Sequence, residues 1–566
     1  MDREARGMVV RLSGKSTLNL YAGASRGAAC WAPAKDELRR LIILATVVAT
    51  IAACAGGFAS AATAPQYGGM LVVELHEPVV VLDPVKWKAG SVENAASMQL
   101  AATVFDRLLT LDRFGRFQPG LAAEWSHDAG WRRWQFTLRA GVLFSDGSAL
   151  TAADIAGALQ ELLPGKPAVT AAGTRVVVQF LAQVPDLLEQ LASGRYFIYR
   201  RNADGTLLGT GAFLVAEFTP AAGGTTTARY KLMSNEHCWA GRPFVDGMEV
   251  SVGVPVLRQL FDLQLGKADV VEISPELVRR AGQENLRVWS SAPVLLYALQ
   301  LSGDAGDKEP IDAVRAESDK SGVGEALSLA LDRETMANVL LQKQAATAAS
   351  FLPQWLSGYA FVFGMENNVA RAKELSSALL AAPGAPHAMS APGAATQPLR
   401  LRVDAGGDLA KLIAERVAIN ARQAGIAVQV QIRVAGRDVG RDAAPSGGAN
   451  SGRAAEVAGL RLVAWRYSSL SERAELDAMV SALQLEPTSE EKVFADAEQL
   501  YARERRLVGE HNLIPLVVMP EYIGLGAAVR DWMPERWGEW HLADVWLDRK
   551  RNLSSAAGTA TMRAQP

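Results

Sequence analysis

Residues 119–159 constrain the fold more than any other stretch, because they combine several local signals in one order. Along residues 134–139, apolar and polar side chains alternate, which is the two-residue period of a strand with one buried face. A second extended piece and an Asp-Gly turn signal follow. Thr151 then stands at a helix N-cap with Asp154 three residues later, which resembles a capping box with Asp in place of Glu. The stretch therefore predicts a strand, a turn and a capped helix.

Written as a motif, the stretch is Pro-Gly-Leu-Ala-x-x-Trp, then Trp-x-Phe-x-Leu-Arg-x-Gly-Val-x-Phe-x-Asp-Gly-x-x-Leu-Thr-Ala-x-Asp-Ile. This order resembles the signature of the family 5 extracellular solute-binding proteins. These are the dipeptide- and oligopeptide-binding receptors of ABC importers, with relatives that bind nickel complexes and other small solutes. Residues 209–213 resemble the family's Gly-Thr-Gly-Pro-Tyr, with Ala and Phe in the last two places. Residues 235–247 resemble its Asn-x-x-Tyr-Trp-x-Gly-x-Pro-x-x-Asp-Gly, with Cys238 in the tyrosine place.

The resemblance implies an α/β fold of the two-lobed periplasmic-binding-protein kind, type II, in the large cluster that has an extra domain. Mixed sheets with flanking helices would be joined by hinge strands. The expected parts are a signal region (1–53), a flexible linker (54–66), lobe I (67–105, 204–296 and 512–549), an extra small domain (106–203), lobe II (297–511) and a disordered tail (550–566).

Local patterns predict further elements within these parts. Residues 92–109 read as one helix, and residues 70–81 as a region of paired strands. A strand at 295–301 is expected to cross into lobe II, and a strand at 514–519 to lead back to lobe I. Residues 399–434 read as strand, helix and strand, a unit that favours a parallel sheet.

An apolar run at residues 41–53 follows two arginines and is too short to span a membrane, which favours a secretory signal. Two cleavage sites compete. Residues 51–54 resemble a bacterial lipobox, which would make Cys54 the lipidated first residue of the mature chain. Residues 59–61 instead have the small-x-small form of an ordinary signal site. Residues 1–40 are long for a basic leader, which favours a translation start downstream of Met1.

Composition excludes several classes of function. The net charge of −2 gives no sign of a nucleic-acid surface, and 21% charged residues fit a globular chain. Of three cysteines only Cys238 lies in the expected mature body, where we predict a small buried residue and no disulfide. The six histidines stand in no recognisable catalytic or zinc-binding setting. The sequence therefore predicts no enzyme, no metal site and no cofactor.

The candidate ligand-binding residues are Trp465, Arg466, Tyr467 and Trp87. In peptide-binding members of the family, an Asp before a tyrosine pairs with the peptide's α-amino group. Here Arg466 takes that place, and an arginine pairs with a carboxylate or phosphate rather than an ammonium. Either the ligand presents an anionic or neutral end there, or Arg466 is a surface residue at a strand end. Trp87 either lines the cleft mouth or is an ordinary surface or core tryptophan.

The function that the resemblance implies is a periplasmic receptor, expected to be a monomer. It would bind a peptide or related small solute between two lobes and deliver it to an ABC permease with its ATPase, anchored to the membrane if Cys54 is lipidated. Two alternatives remain. One is a sensor or scaffold that has lost transport, which the eroded motifs near 310–315 and at Arg466 favour. The other is an exported hydrolase, which would need a nucleophile, a base and an orienting group.

Overall fold

Strands and helices alternate along the chain, as an α/β fold requires. In this computed structural model the described residues are 64–77, 81–112, 114–221, 227–302, 322–381, 398–404, 407–433, 459–486, 496–535 and 537–548. The predicted signal region at 1–53, Cys54, the eroded motif near 310–315 and the predicted tail at 550–566 lie outside them. Among the described helices, none combines the length and the apolar character needed to span a bilayer.

The strands, labelled in chain order, are β1 (Met70–Leu75), β2 (Leu109–Leu111), β3 (Phe117–Pro119), β4 (Ala122–His127), β5 (Arg133–Leu138), β6 (Ala168–Ala172), β7 (Arg175–Gln179), β8 (Arg200–Arg201), β9 (Leu207–Leu208), β10 (Phe213–Thr219), β11 (Ala228–Ser234), β12 (Gly247–Val252), β13 (Val270–Ile273), β14 (Arg287–Ser302), β15 (Ala346–Thr347), β16 (Leu399–Asp404), β17 (Val428–Arg433), β18 (Gly459–Arg466), β19 (Leu513–Leu525), β20 (Val529–Arg530) and β21 (Trp546–Leu547).

The α-helices are α1 (Ala95–Val104), α2 (Ala152–Leu162), α3 (Leu187–Leu191), α4 (Val256–Gln264), α5 (Pro275–Gln283), α6 (Val323–Ala330), α7 (Arg333–Thr335), α8 (Gln354–Ser357), α9 (Val369–Ala381), α10 (Gly407–Gln423), α11 (Glu472–Ala482) and α12 (Ala497–Gly509). Short 3₁₀-helices lie at Pro84–Lys86, Val92–Asn94 and Ala360–Val362, and a π-helix lies at Met336–Leu340.

One mixed sheet runs through the described chain in the order β10-β11-β12-β1-β13-β19-β14-β18-β16-β17, with β15 paired to β19. Its first half centres on β1, which lies parallel to both β12 and β13. Its second half contains β16, which lies parallel to both β17 and β18. The predicted strand–helix–strand unit at 399–434 therefore forms the parallel pair that was expected.

Two long antiparallel strands, β14 and β19, join the halves. Their register shifts on both sides of Pro293, which stands opposite Pro520. A proline has no N–H to donate to a ladder, so two facing prolines interrupt the hydrogen bonding where the sheet passes from one half to the other. This is the place where the joined strands can bend most readily.

The opening stretch of the sequence folds as predicted. Strand β5 carries the alternating residues and lies in a four-stranded antiparallel sheet of order β4-β5-β7-β6, with Trp134 and Phe136 fully buried. Helix α2 begins after Thr151, whose side chain accepts from the Asp154 backbone N–H while Asp154 accepts from the Thr151 N–H. The capping box satisfies two orphan donors of the first turn.

The helix predicted at 92–109 is wrong in length, because α1 ends at Val104. A glycine loop packs on that end: a Cβ at Gly209 would come within 2.0 Å of the Val104 carbonyl oxygen, and one at Gly211 within 2.7 Å. The Gly211 N–H donates to the same oxygen, at 3.0 Å. A contact from distant sequence thus replaces the next helical turn, and residues 109–111 become β2. Likewise, the strand pair predicted at 70–81 is a single strand, β1, within the described residues.

Buried apolar side chains gather in separate clusters. One large cluster unites β1, α1, the four-stranded sheet and β10–β12 with the chain end near Leu547. Two others contain side chains from 296–519 and lie on the faces of β14, β18 and β19. The space between these clusters is where side chains from distant segments meet.

Candidate functional site

Two adjoining pockets lie between elements of the two sheet halves, beside the β14–β19 crossing. The first is lined by Met98, Gln99, Gly194, Trp355, Arg466, Tyr467, Ser468, Ser469, Leu470, Trp537 and Glu539. The second is lined by Trp87, Lys88, Ala89, Gly90, Ser91, Asn94, Met98, Arg195, Arg466 and Ser468. They share Met98, Arg466 and Ser468. With the open space at their entrances included, the two pockets have volumes of about 360 and 300 Å³. The enclosed part of each pocket is little larger than one water molecule.

Arg466 ends strand β18 between the two pockets and is 4% exposed, so the alternative of a surface residue is wrong. Its guanidinium forms a two-armed ion pair with Glu521 on β19, with Nε–Oε1 2.6 Å and Nη2–Oε2 3.0 Å. Nη1 lies 3.8 Å from the Met98 sulfur. Burial lowers the pKa of this guanidinium, but the charge and hydrogen bonds of Glu521, with the charges of Glu539 and Glu475, together outweigh burial and raise the pKa above its ordinary value. Most of the hydrogen-bonding capacity of Arg466 is therefore used within the protein.

Trp465 lines neither pocket. It is 2% exposed, and its indole N–H donates to Glu475 at 2.7 Å. The ring lies against the backbone at Gly90, where an added Cβ would fall 2.2 Å from ring carbons. Glu475 also accepts from the backbone N–H groups of Ser468 and Ser469, at 3.1 and 2.7 Å. Trp465 and Glu475 therefore shape the loop after β18, which forms a wall of both pockets.

Tyr467 lines the first pocket and Trp87 the second. The Tyr467 hydroxyl donates to the Phe351 carbonyl oxygen, and burial raises the pKa of that phenol well above its ordinary value. Trp87 donates from its indole N–H to the Val81 carbonyl at 2.6 Å and packs edge-on to Phe197. The structure thus brings three of the four predicted residues to the pockets, and their role toward a solute stays a prediction.

The segment at residues 537–540 contributes Trp537 and Glu539 to the first pocket, and sequence reasoning missed it. The Gln99 side chain holds it from α1: its amide NH₂ donates to the Gly538 carbonyl at 2.5 Å, and its oxygen accepts from the Trp540 N–H at 3.0 Å. Glu539 is ion-paired to the buried Arg107, whose guanidinium also lies 4.6 Å from the centre of the Phe197 ring. These contacts present Trp537 and Glu539 to the first pocket.

Three of the motif segments meet away from the pockets. Asp106 accepts hydrogen bonds at one carboxylate oxygen from the Thr210 hydroxyl and the Trp239 indole N–H, both at 2.8 Å. Arg139 lies over the Trp239 ring at 4.4 Å. Asp106 follows α1 and Arg139 follows β5, whereas Thr210 precedes β10 and Trp239 follows β11. Their role is to join the small antiparallel sheet to the large one.

Other chemistry is sparse in the described part of the chain. No group of three or more His, Cys, Asp or Glu side chains there could hold a metal ion. Cys238 is a free cysteine, and it is half-buried where the sequence predicted a buried residue. Burial raises the pKa of its thiol, so the thiol is a poor nucleophile.

Comparison with known proteins agrees with the motifs. Residues 116–450 match the family model described as "Bacterial extracellular solute-binding proteins, family 5 Middle". Over 98 residues the chain is 35% identical to the "Probable deoxycholate-binding periplasmic protein YgiS" of Escherichia coli (strain K12). That alignment covers 17% of this chain and 17% of the length of the relative.

Solved structures share the fold over most of the chain. OppA of Haemophilus influenzae, in complex with the peptide RPPGFSPFR, aligns with a TM-score of 0.63 at 16% identity, over 85% of this chain and 100% of its own. The Escherichia coli murein tripeptide-binding protein MppA aligns with a TM-score of 0.62 at 18% identity, over 86% of this chain and 99% of its own. At such identities the likeness establishes the two-lobed α/β fold alone.

Proposed function

The chain belongs to the family 5 bacterial extracellular solute-binding proteins, and from this premise we propose that it is an extracytoplasmic receptor of an ABC importer. It binds a peptide or related small solute between its lobes and delivers the solute to a permease and its ATPase. The family is one of receptors for solutes, and this chain carries out no chemical conversion of its solute.

The observation that carries the proposal is the position of the pockets. The walls of the first pocket come from α1, the 537–540 segment, the loop after β18 and Trp355. The walls of the second come from 87–94, Met98 and Arg195, and from Arg466 and Ser468. Both adjoin the strands interrupted at Pro293 and Pro520. Because the pocket interiors have so little room, a solute enters only if the walls move apart, and a bend at the crossing strands would separate them.

We propose the lobe boundaries expected from the sequence: lobe I at 67–105, 204–296 and 512–549, and lobe II at 297–511, with the small domain at 106–203. One buried cluster is drawn from 71–270 and 523–547 and two others from 296–519, which supports two lobes with separate cores. Residues 513–519 of β19 pack in the lobe II clusters before the strand returns to lobe I. Separate cores let each lobe move as a body while the contacts between lobes change.

The ligand class follows from what lines the site. Aromatic walls with a few placed polar groups suit a small organic solute. The Escherichia coli relative is named for deoxycholate and the Haemophilus structure contains a peptide, so the family fold accommodates both kinds of molecule. Since Arg466 stands where a carboxylate would receive a peptide amine, we propose that a free amino group is not the handle by which this chain holds its solute.

We propose export of the chain, with Cys54 as a lipid attachment point if the lipobox is used. Cys54→Ser should then release the protein from membranes into the soluble extract. Wild-type protein found in the soluble extract, with Cys54→Ser behaving alike, would leave cleavage near Ala61, and no lipid, as the better account.

The transport proposal is tested by growing the source strain, a strain lacking this gene and a complemented strain in one medium, and by following depletion of small molecules. The expected result is that at least one solute is taken up only when the gene is present. No difference between the strains would contradict import and favour a sensor or scaffold. Turnover of chromogenic esters or peptides that persists through repurification would favour a hydrolase instead.

A further inference from the structure

The carboxylates of the site already have partners. Glu521 is ion-paired to Arg466, and Glu539 to Arg107. Glu475 accepts three hydrogen bonds, from an indole N–H and two backbone N–H groups. No carboxylate lining the pockets is therefore left over to receive a cationic group of a solute.

The groups left without partners are donors. Arg195 lines the second pocket, and its buried Nε donates to no atom of the described chain. The side chain is half-buried and forms no ion pair with a described residue. Trp537 lines the first pocket, and its buried indole N–H likewise has no acceptor. Glu535 also has an unpartnered oxygen, but it lines neither pocket.

Buried donors without acceptors are uncommon, and each costs free energy unless something accepts its hydrogen bond. The two residues that carry them, one of them charged, line adjoining pockets that share Met98, Arg466 and Ser468. Lys88 stands exposed at the edge of the second pocket and adds positive charge there. A molecule that extends through both pockets would meet a guanidinium at one end and an indole N–H at the other.

We propose that Arg195 binds an oxyanion of the solute, a carboxylate or phosphate, and that the Trp537 indole donates to a second acceptor on the same molecule. An arginine fork suits either oxyanion, because two parallel N–H groups match two oxygens of the anion. This inference rests on the proposed receptor function and narrows its substrate to acidic solutes. Arg466, committed to Glu521, holds the wall between the pockets and does not serve as the anion site.

The test uses the full-length protein, purified from cells without denaturation and examined by native mass spectrometry. The probe is the small molecule that copurifies and is ejected intact, identified by accurate mass and fragmentation. Arg195→Gln is compared with Arg132→Gln, an exposed arginine of the small domain whose side chain forms no ion pair within the described chain. Arg195→Lys tests whether positive charge alone restores binding, and Trp537→Phe removes the indole donor while keeping an aromatic ring.

The expected result is an ejected molecule that carries a carboxylate or phosphate, with occupancy reduced about tenfold or more in Arg195→Gln. Arg132→Gln should match wild type, Arg195→Lys should retain partial occupancy, and Trp537→Phe should lose less than Arg195→Gln. Since the Arg195 side chain has no hydrogen-bond or ion-pair partner among the described residues, Arg195→Gln should unfold at the wild-type temperature, which separates lost binding from lost folding.

Two results would overturn the inference while leaving the receptor in place: a retained molecule with no acidic group, or an acidic molecule retained equally by Arg195→Gln. Absence of any retained molecule from wild type and all variants would instead contradict the proposed function itself, and the inference with it. The fragmentation spectrum distinguishes carboxylate from phosphate.

Discussion

Both arms of the Arg466 guanidinium that face β19 are bound by Glu521, at 2.6 and 3.0 Å, so the charge at the centre of the site is neutralised within the protein. The two side chains differ in their contact with solvent: 4% of Arg466 is exposed but 25% of Glu521. The pair connects the end of β18 to β19, beside the strand crossing.

This asymmetry predicts unequal costs for breaking the pair. Glu521→Gln leaves a buried cation without a counter-ion and should lower the free energy of unfolding by about 3 kcal/mol or more. Arg466→Met leaves a carboxylate that water can reach, and should cost less. The double variant should cost less than the sum of the two, as interacting partners do. Denaturant unfolding of all four proteins at neutral pH measures this, and additive costs would show that the pair is not coupled.

Gly90 is predicted to tolerate no side chain. It has a φ of +66°, and a Cβ would fall 2.2 Å from the Trp465 ring. Gly90→Ala should therefore cost about 1 kcal/mol for the left-handed backbone and about 1–3 kcal/mol more for the collision. Gly115→Ala is the matched control, because Gly115 has a φ of +78° with nothing within 4 Å. Equal loss of stability in the two variants, measured by denaturant unfolding, would contradict the close packing of Trp465 on this turn.

Glu504 is predicted to make stability depend on pH. The residue is fully buried on α12, and desolvation raises the pKa of its carboxyl from 4.5 to about 7. The folded state therefore binds this proton more tightly than the unfolded state, so the stability from this group is present below about pH 4.5 and is lost as pH rises to about 7.

Glu504→Gln should accordingly become more stable relative to wild type as the pH rises from 5 to 8, by up to about 3 kcal/mol. The amide oxygen can still accept from the Phe351 and Leu352 N–H groups, which the carboxylate holds at 2.6 and 2.9 Å. Glu498→Gln, an exposed change on the same helix, should show no such trend. A constant difference between Glu504→Gln and wild type across this range would refute the raised pKa.

Sequence patterns predicted the local elements well where neighbouring residues decide the structure. The alternation around Trp134 and the Thr151 capping box gave a strand and a helix start that depend on few distant contacts. Alternation and capping act over a few residues, so a single sequence contains the whole signal.

Elements that depend on distant contacts could not be predicted in this way. Helix α1 ends at Val104 because Gly209 and Gly211 pack on its last carbonyl, more than 100 residues away in the sequence. The Gln99 amide binds Gly538 across 439 residues, which no periodicity records. The motif comparison located Arg466. Its partner Glu521 lies in β19, a largely apolar strand whose sequence indicates that it is buried but not which residue Glu521 contacts. The site is built mostly from such pairs, and so its geometry required the structure.

The most direct test of the account is whether a solute occupies the space that Met98, Arg466 and Ser468 share. Ser468→Phe would add a ring to the wall that both pockets share and so obstruct solute there, while the backbone N–H of residue 468 still donates to Glu475. Native mass spectrometry of protein purified from cells should find an unaltered small molecule on wild type and none on Ser468→Phe, with both proteins folded. Retention of the same molecule by Ser468→Phe would contradict the claim that solute is held between the lobes.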